Sequence, residues 1–224
     1  MAKKIKLESG NVFRVKLLNG LYTFGHVVFY VPKKNPKWQL INQQSYLTGW
    51  FNNCVLVNIY SQISEKDVLT CKDIFFKGVF FSSTDLSTLG EDNITIVDNI
   101  PVEIKTVEFP ENIGANKDDG FFLEKGELKL KLESNRITED MQKELMQFPN
   151  SFKDIYSTAD AVLFFQNRKS EMQRNYYDGW KHTPDDLKNN SKLREKVYTM
   201  LKEDPNQSYY DLALKHGFDL ARLY

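Results

Sequence analysis

Phe13, Val15 and Leu17 alternate with Arg14 and Lys16, the period of two that marks a strand with one buried face. Asn19-Gly20 follows, the pair favoured in two-residue type I′ turns because both positions need positive φ. The apolar run Leu21–Val31 then returns. A two-residue turn sets the register: Leu17 opposite Tyr22, Val15 opposite Phe24 and Phe13 opposite His26, all on one face. Arg14 and Lys16 then meet Gly25 and Thr23 on the other face. Further strands are predicted at Cys54–Tyr60, Ile74–Phe81, Ile94–Val97 and Pro101–Val107. Phe121–Leu123 and Leu128–Leu132 suit a second hairpin across Glu124-Lys125-Gly126-Glu127. Residues 32–53 read as a long loop.

After Glu133 the period lengthens. Ile137, Met141, Leu145 and Phe148 fit one helical face, with Glu139 and Asp140 in the first turn, where the helix dipole favours acids. A second helix is predicted over about Thr158–Tyr177, burying Ala161, Phe165, the stem of Arg168, Met172 and Tyr176. Thr183-Pro184-Asp185-Asp186 has the chemistry of a helix start. Leu193, Val197 and Leu201 form the next stripe, ended by Asp204-Pro205. Ser208 opens a last helix that Gly217 stops. Strands first and helices after predict an α+β fold. An N-terminal antiparallel β-rich region (1–133), barrel-like or a strongly bent sheet, should precede a C-terminal helical region (134–224).

The composition, 41% hydrophobic and 27% charged over 224 residues, is that of a folded globular chain. Thirty basic residues balance thirty acidic ones. That balance gives no electrostatic drive toward nucleic acid or an anionic membrane. No apolar run approaches the ~20 residues of a transmembrane helix, and Met1-Ala-Lys-Lys-Ile-Lys6 lacks the apolar stretch of a secretory leader. With only Cys54 and Cys71, a disulfide framework is not expected and a reducing cytoplasm is.

Candidate chemistry is sparse. His26, His182 and His216 share no metal-ligand spacing, and no pair of cysteines is spaced to bind zinc. No metal or other cofactor is expected. The chain has no Gly-x-Ser-x-Gly elbow, Walker loop or dinucleotide fingerprint. Neighbouring carboxylates such as Asp118-Asp119 and Asp185-Asp186 suit turns and caps. Residues 208–218 resemble half of a helix-turn-helix, but only six residues follow Phe218 and Arg222 is their one basic side chain. No catalytic residue is assigned.

The aromatics of the long loop, Trp38, Tyr46, Trp50 and Phe51, either fold back as a cap or serve as anchors for a partner. They are the candidate partner-binding residues. Gly10-Asn-Val-Phe-Arg-Val15, Leu18-Asn-Gly-Leu-Tyr22 and Phe24-Gly-His-Val-Val28 resemble the opening of the immunity protein 26 family, with Asn11 where that family has Asp. Val57-Asn-Ile-Tyr60 and Val107-Glu-Phe-Pro110 fall where the family has a strand and a proline-bearing stretch. The resemblance spans roughly residues 8–115. It implies a bacterial immunity protein that neutralises a cognate toxin by binding it, and it supplies no catalytic residue. The competing readings are a hydrolase with an unrecognised site, which requires His26 or His216 beside carboxylates in a cleft, and a nucleic-acid-binding sheet using Tyr22 and Phe24.

Overall fold

The computed structural model describes residues 5–31, 47, 51, 53–90, 92–116, 120–148, 153–173 and 186–224. The fold is α+β, as the order of periods predicts. The chain forms two compact units, and both are discontinuous. The first comprises residues 1–33, 51–102 and 152–182; the second comprises 34–50, 103–151 and 183–224. The division expected at 133/134 is therefore replaced by an interleaved one.

In the first unit, β1 (Asn11–Lys16), β2 (Tyr22–Val31), β3 (Cys54–Ser64), β4 (Ile74–Ser82) and β5 (Ile94–Asn99) form an antiparallel sheet in the order β4-β3-β2-β1-β5. The sheet is open, with β4 and β5 as its edges, and does not close into a barrel. Several register shifts interrupt its ladders; each inserts one or two extra residues, which bends and twists the strand.

The first hairpin corrects the predicted register by one residue. Lys16 pairs with Tyr22, Val15 with Thr23, Arg14 with Phe24, Phe13 with Gly25 and Val12 with His26. The cause is the turn. The Gly20 amide donates to Leu17 O at 3.0 Å and the Leu17 amide to Leu21 O at 2.7 Å. Of the Asn-Gly pair only Gly20 has positive φ (86°). This is a three-residue loop closed by a glycine in the left-handed region, not a type I′ turn. Phe13 consequently crosses bare Gly25, where a Cβ would lie 2.6 Å from its ring. His26 moves to the opposite face, directly across from Val12.

The Phe13 face carries the main core. Helix α1 (Ser83–Thr88) contributes Leu86, and the later helix Ile155–Phe165 lays Ile155, Ala159, Val162 and Leu163 on Phe13, Val15, Val57 and Ile59. This second helix was expected over 158–177 within a separate helical region. It starts earlier because the Asp154 carboxylate caps Tyr156 N (3.3 Å) and Ser157 N (3.1 Å). It stops at Phe165 for reasons given below.

In the second unit, β6 (Asn112–Asn116), β7 (Gly120–Lys125) and β8 (Leu128–Lys131) form a three-stranded antiparallel sheet. Helices α2 (Glu139–Leu145), α4 (Ser191–Leu201) and α5 (Tyr209–Lys215) belong to the same unit, the helix Ile155–Phe165 being α3. Leu123, Leu145, Phe148, Leu193, Val197 and Leu212 are buried. Thr138, Asn190 and Ser208 cap the three helices through Met141 N, Leu193 N and Asp211 N. Gly217, at φ 84°, ends α5: its amide reaches Leu214 O at 2.9 Å and that of Phe218 reaches Ala213 O at 2.8 Å, the Schellman pattern. Beyond it lies only the 3₁₀ turn Leu220–Leu223. The strand predicted at Pro101–Val107 is instead a 3₁₀ turn at Ile104–Thr106. Pro101 has no amide to give a ladder, and the Thr106 amide and hydroxyl both donate to Glu103 O.

Candidate binding surface

The aromatic cluster at the edge of the first sheet is built by two local devices. The first is in β4. Tyr60 pairs with Ile74 and Ile59 with Phe76, so Phe75 is an extra residue; Val57 pairs with Val79, so a second insertion falls at Lys77-Gly78. Consecutive residues of a regular strand point to opposite faces, whereas the bulge at Phe75 brings the Phe75 and Phe76 rings into edge contact, with centroids 4.8 Å apart.

The second device is the end of α3. Asn167 takes φ 60°, its amide donates to Phe164 O at 3.0 Å, and the Arg168 amide donates to Leu163 O at 2.8 Å. This is a Schellman stop with asparagine in the glycine place. It leaves Phe164 and Phe165 on the last turn, their rings 5.6 Å apart. Phe165 lies 6.2 Å from Phe75 and 6.5 Å from Phe76, within the range at which aromatic pairs attract. Phe75 and Phe76 also pack against the main core. Phe165, expected to be buried, is 56% exposed, and Ile74 beside the cluster is 41% exposed. Lys169 holds its ammonium 4.4 Å from the centre of the Phe164 ring. The core thus continues outward through half-buried Phe75, Phe76 and Phe164 to the exposed ring of Phe165.

Of the loop aromatics singled out in the sequence, Trp38, Tyr46 and Trp50 lie outside the described residues. Phe51 is 1% exposed and stacks on Phe80 with ring centroids 4.1 Å apart. Its place is in the core, where it cannot present an exposed anchor. The phenylalanine cluster that ends in exposed Phe165 was missed. Two adjacent Phe-Phe pairs, 75–76 and 164–165, are its only trace in the sequence.

Each of the two described histidines has its own local partner. His26 Nε2 lies 3.0 Å from Ile100 O, and burial lowers its pKa. His216 lies 3.0 Å from Glu203 in the other unit, and His182 is outside the described residues. Burial pushes the Cys54 thiol up to about 12, away from thiolate chemistry. Among the described residues no group of three or more His, Cys, Asp or Glu side chains has the geometry of a metal site.

The second unit buries an ionic network that the sequence reading did not anticipate. Lys125, read as a turn residue, is 1% exposed at the end of β7, and Glu111 is wholly buried. Lys125 Nζ lies 3.1 Å from Glu111 and 3.3 Å from Glu108. Arg194 grips Glu111 with two prongs, at 2.7 and 2.9 Å, and the Tyr198 hydroxyl donates to it at 2.8 Å. Burial alone would raise the Glu111 pKa; the Arg194 hydrogen bonds and the Lys125, Lys188 and Arg194 charges outweigh it and bring the value to about 2. Both carboxylate oxygens are engaged, which suits a structural clasp and leaves little acceptor capacity for proton transfer. Sequence did carry one signal. Val107, Phe109 and Glu111 are all buried at a spacing of two, so the alternation that predicts an inward Val and Phe carries the glutamate inward with them.

A shallow depression of about 500 Å³ in the first unit is lined by Leu21, Gln62, Ile63, Thr70, Arg168 and Glu171 among others. Its polar groups serve one another. Gln62 Oε1 accepts from Thr70 N and Cys71 N, while Arg168 bonds Ile63 O and both Glu171 oxygens.

Comparison of the chain with family models, with curated proteins and with solved structures finds no match.

Proposed function

We propose that this chain is a non-enzymatic protein-binding module of the immunity type, which neutralises a protein partner by covering part of it. The observation that carries the reading is the exposed Phe165 ring, held at the sheet edge by contact with Phe75, Phe76 and Phe164, because aromatic side chains held rigidly are the residues that dominate interface energetics. The first-hairpin resemblance to the immunity protein 26 family supports the same reading. Free thiols at Cys54 and Cys71 suit action in a reducing cytoplasm. No helix among the described residues is long and apolar enough to cross a membrane.

Co-expression with the product of the adjacent reading frame tests the proposal. The expected result is protection of growth and a complex that co-purifies, both lost in Phe165→Ala with the far-ultraviolet circular dichroism unchanged. Absence of both protection and complex sinks it.

A further inference from the structure

We propose that Asn19 is a site of spontaneous covalent modification: the Gly20 backbone nitrogen displaces the Asn19 side-chain amide when residues 171–173 release the hairpin tip, and the product cannot be clasped again.

The turn places the reactants. Of the 11 glycines, Gly20 alone follows an asparagine, and both residues are exposed at the tip. In most sequences the side chain of the following residue crowds the nitrogen that would attack an asparagine amide. Gly20 has no Cβ, so its backbone permits that close approach, and no atom lies within 4 Å of the place where a Cβ would stand. The reaction balances with water as its one co-reactant. The Gly20 nitrogen bonds to Asn19 Cγ, the Cγ–Nδ2 bond breaks, and Nδ2 leaves as ammonia with the proton given up by the Gly20 amide. Water then opens the cyclic imide at one of its two carbonyls. The product at position 19 is aspartate, or isoaspartate with the backbone rerouted through the side chain. Nothing is oxidised or reduced.

The folded tip holds the groups that this step must free. The Gly20 amide donates to Leu17 O at 3.0 Å. Asn19 Nδ2 donates to Glu171 O at 2.5 Å, and Asn19 Oδ1 accepts from the Leu21 amide at 3.1 Å. Beside this pair the Leu18 amide donates to Gln173 Oε1 at 2.6 Å. The other side of the clasp is itself anchored. The Gln173 amide donates to Asp160 Oδ1 of α3 at 2.8 Å, and Arg168 donates to both Glu171 carboxylate oxygens. While the clasp is shut, the leaving nitrogen is engaged and the proton that Gly20 must lose is held by Leu17 O. The reaction therefore belongs to the opened tip, and its rate follows the local opening equilibrium.

The product changes the clasp itself. A carboxylate accepts hydrogen bonds and donates none. Where Nδ2 gave a proton to Glu171 O, two acceptors now face each other with nothing to share, and the bond cannot re-form. Each conversion leaves the segment after α3 released from the first hairpin, in one direction only.

The test incubates the full chain in neutral buffer at physiological temperature, folded and in urea. Digests are followed by tandem mass spectrometry that separates asparaginyl, aspartyl and isoaspartyl peptides. The product must be located, because Asp119-Gly120 and Asp178-Gly179 form the same imide without losing ammonia. Conversion at position 19 is expected in the folded chain, about tenfold slower than in urea because several hydrogen bonds must open first. Gln173→Met keeps the length of the side chain and removes the carbonyl that Leu18 uses. It should speed conversion about fivefold with the far-ultraviolet circular dichroism unchanged, and Gln173→Leu should do the same. Hydrogen exchange at the Leu18 amide, slow in fresh protein, should become fast in aged protein and in Asn19→Asp, while the amides of β3 stay protected. No product at position 19 in the folded chain, equal rates folded and in urea, an unchanged rate in both folded Gln173 variants, or a Leu18 amide still protected in Asn19→Asp overturns the inference. The folded-against-urea and Asn19→Asp comparisons decide it even where a Gln173 variant does not fold.

Discussion

In the first unit, α3 meets the sheet through hydrocarbon: Val162 and Leu163 on one side, Phe13, Val57 and Ile59 on the other, all with no exposed surface. In the second unit, an equally buried position holds Glu111, and beside it is Lys125 at 1% exposure. Apolar contacts are additive and undirected, so the first core can lose a methyl group and keep its fold. An ionic clasp depends on every member. It contributes only while each charge keeps its partners, because a charge stranded in the interior costs more than the pair gained. The two units should therefore fail differently, the first by degrees and the second abruptly and in acid.

The largest expected effect tests the second unit. Glu111→Ala strips Lys125, Arg194 and Tyr198 of their shared acceptor; a loss of about 3–5 kcal/mol is expected in urea denaturation. The wild type should show the same dependence on pH. The Glu111 pKa is lowered on folding from its ordinary 4.5 to about 2. Its contribution is therefore complete above about 4.5 and disappears as pH falls from there toward about 2. Glu127 works in the opposite direction. Burial raises its pKa against the pull of Arg222, so protonating it just above its ordinary value favours the folded state. A melting series that is flat between pH 5 and pH 2 would contradict the assignment to Glu111.

Next in size is the apolar core. Leu163→Ala should cost about 2–5 kcal/mol, by the same amount at pH 4 as at pH 7, since no titrating group is involved. Smaller again is Gly25→Ala, at roughly 1–3 kcal/mol from overpacking: the new methyl would sit 2.6 Å from Phe13 and 2.8 Å from Val57. Phe13→Leu in the same chain should recover part of that loss, and a failure to recover would indicate backbone strain instead of a packing clash. The smallest change is Ser208→Ala, which leaves the Asp211 amide without its 3.1 Å acceptor at the start of α5. It should cost about 1 kcal/mol in thermal melting.

What could be read from the chain in advance was local. The Phe13–Val15–Leu17 alternation, the leucine alternation of β8, the Ser208 cap and the Gly217 stop each act within a few residues, and the structure keeps them. The hairpin register was lost because Asn19-Gly20 serves two turn types, and nothing in the pair states whether Asn19 will take positive φ. β6 escaped notice because Asn112-Ile-Gly-Ala-Asn116 has little apolar mass; Gly114 is bare because the Glu124 carboxyl lies where its Cβ would be. The partners of Lys125 lie at positions 108 and 111, and no spacing rule joins them to it. The exposure of Phe165 was hidden for a related reason. A helical period runs smoothly through 165, and the stop depends on one asparagine adopting a conformation that its neighbours do not announce.

The helix Ile155–Phe165 belongs to the unit built by the first 102 residues, while 103–151 belong to the other. On the ribosome this ordering imposes a wait. The sheet strands are made first, and the face formed by Phe13, Val15 and Val57 must remain uncovered until Val162 and Leu163 have been translated and have left the exit tunnel. Contacts so far apart along the chain close slowly, and an apolar sheet face left open during that interval is the surface on which nascent chains aggregate or recruit chaperones. Truncation before Asp154 should therefore yield an insoluble product, although every strand of the sheet is present in it.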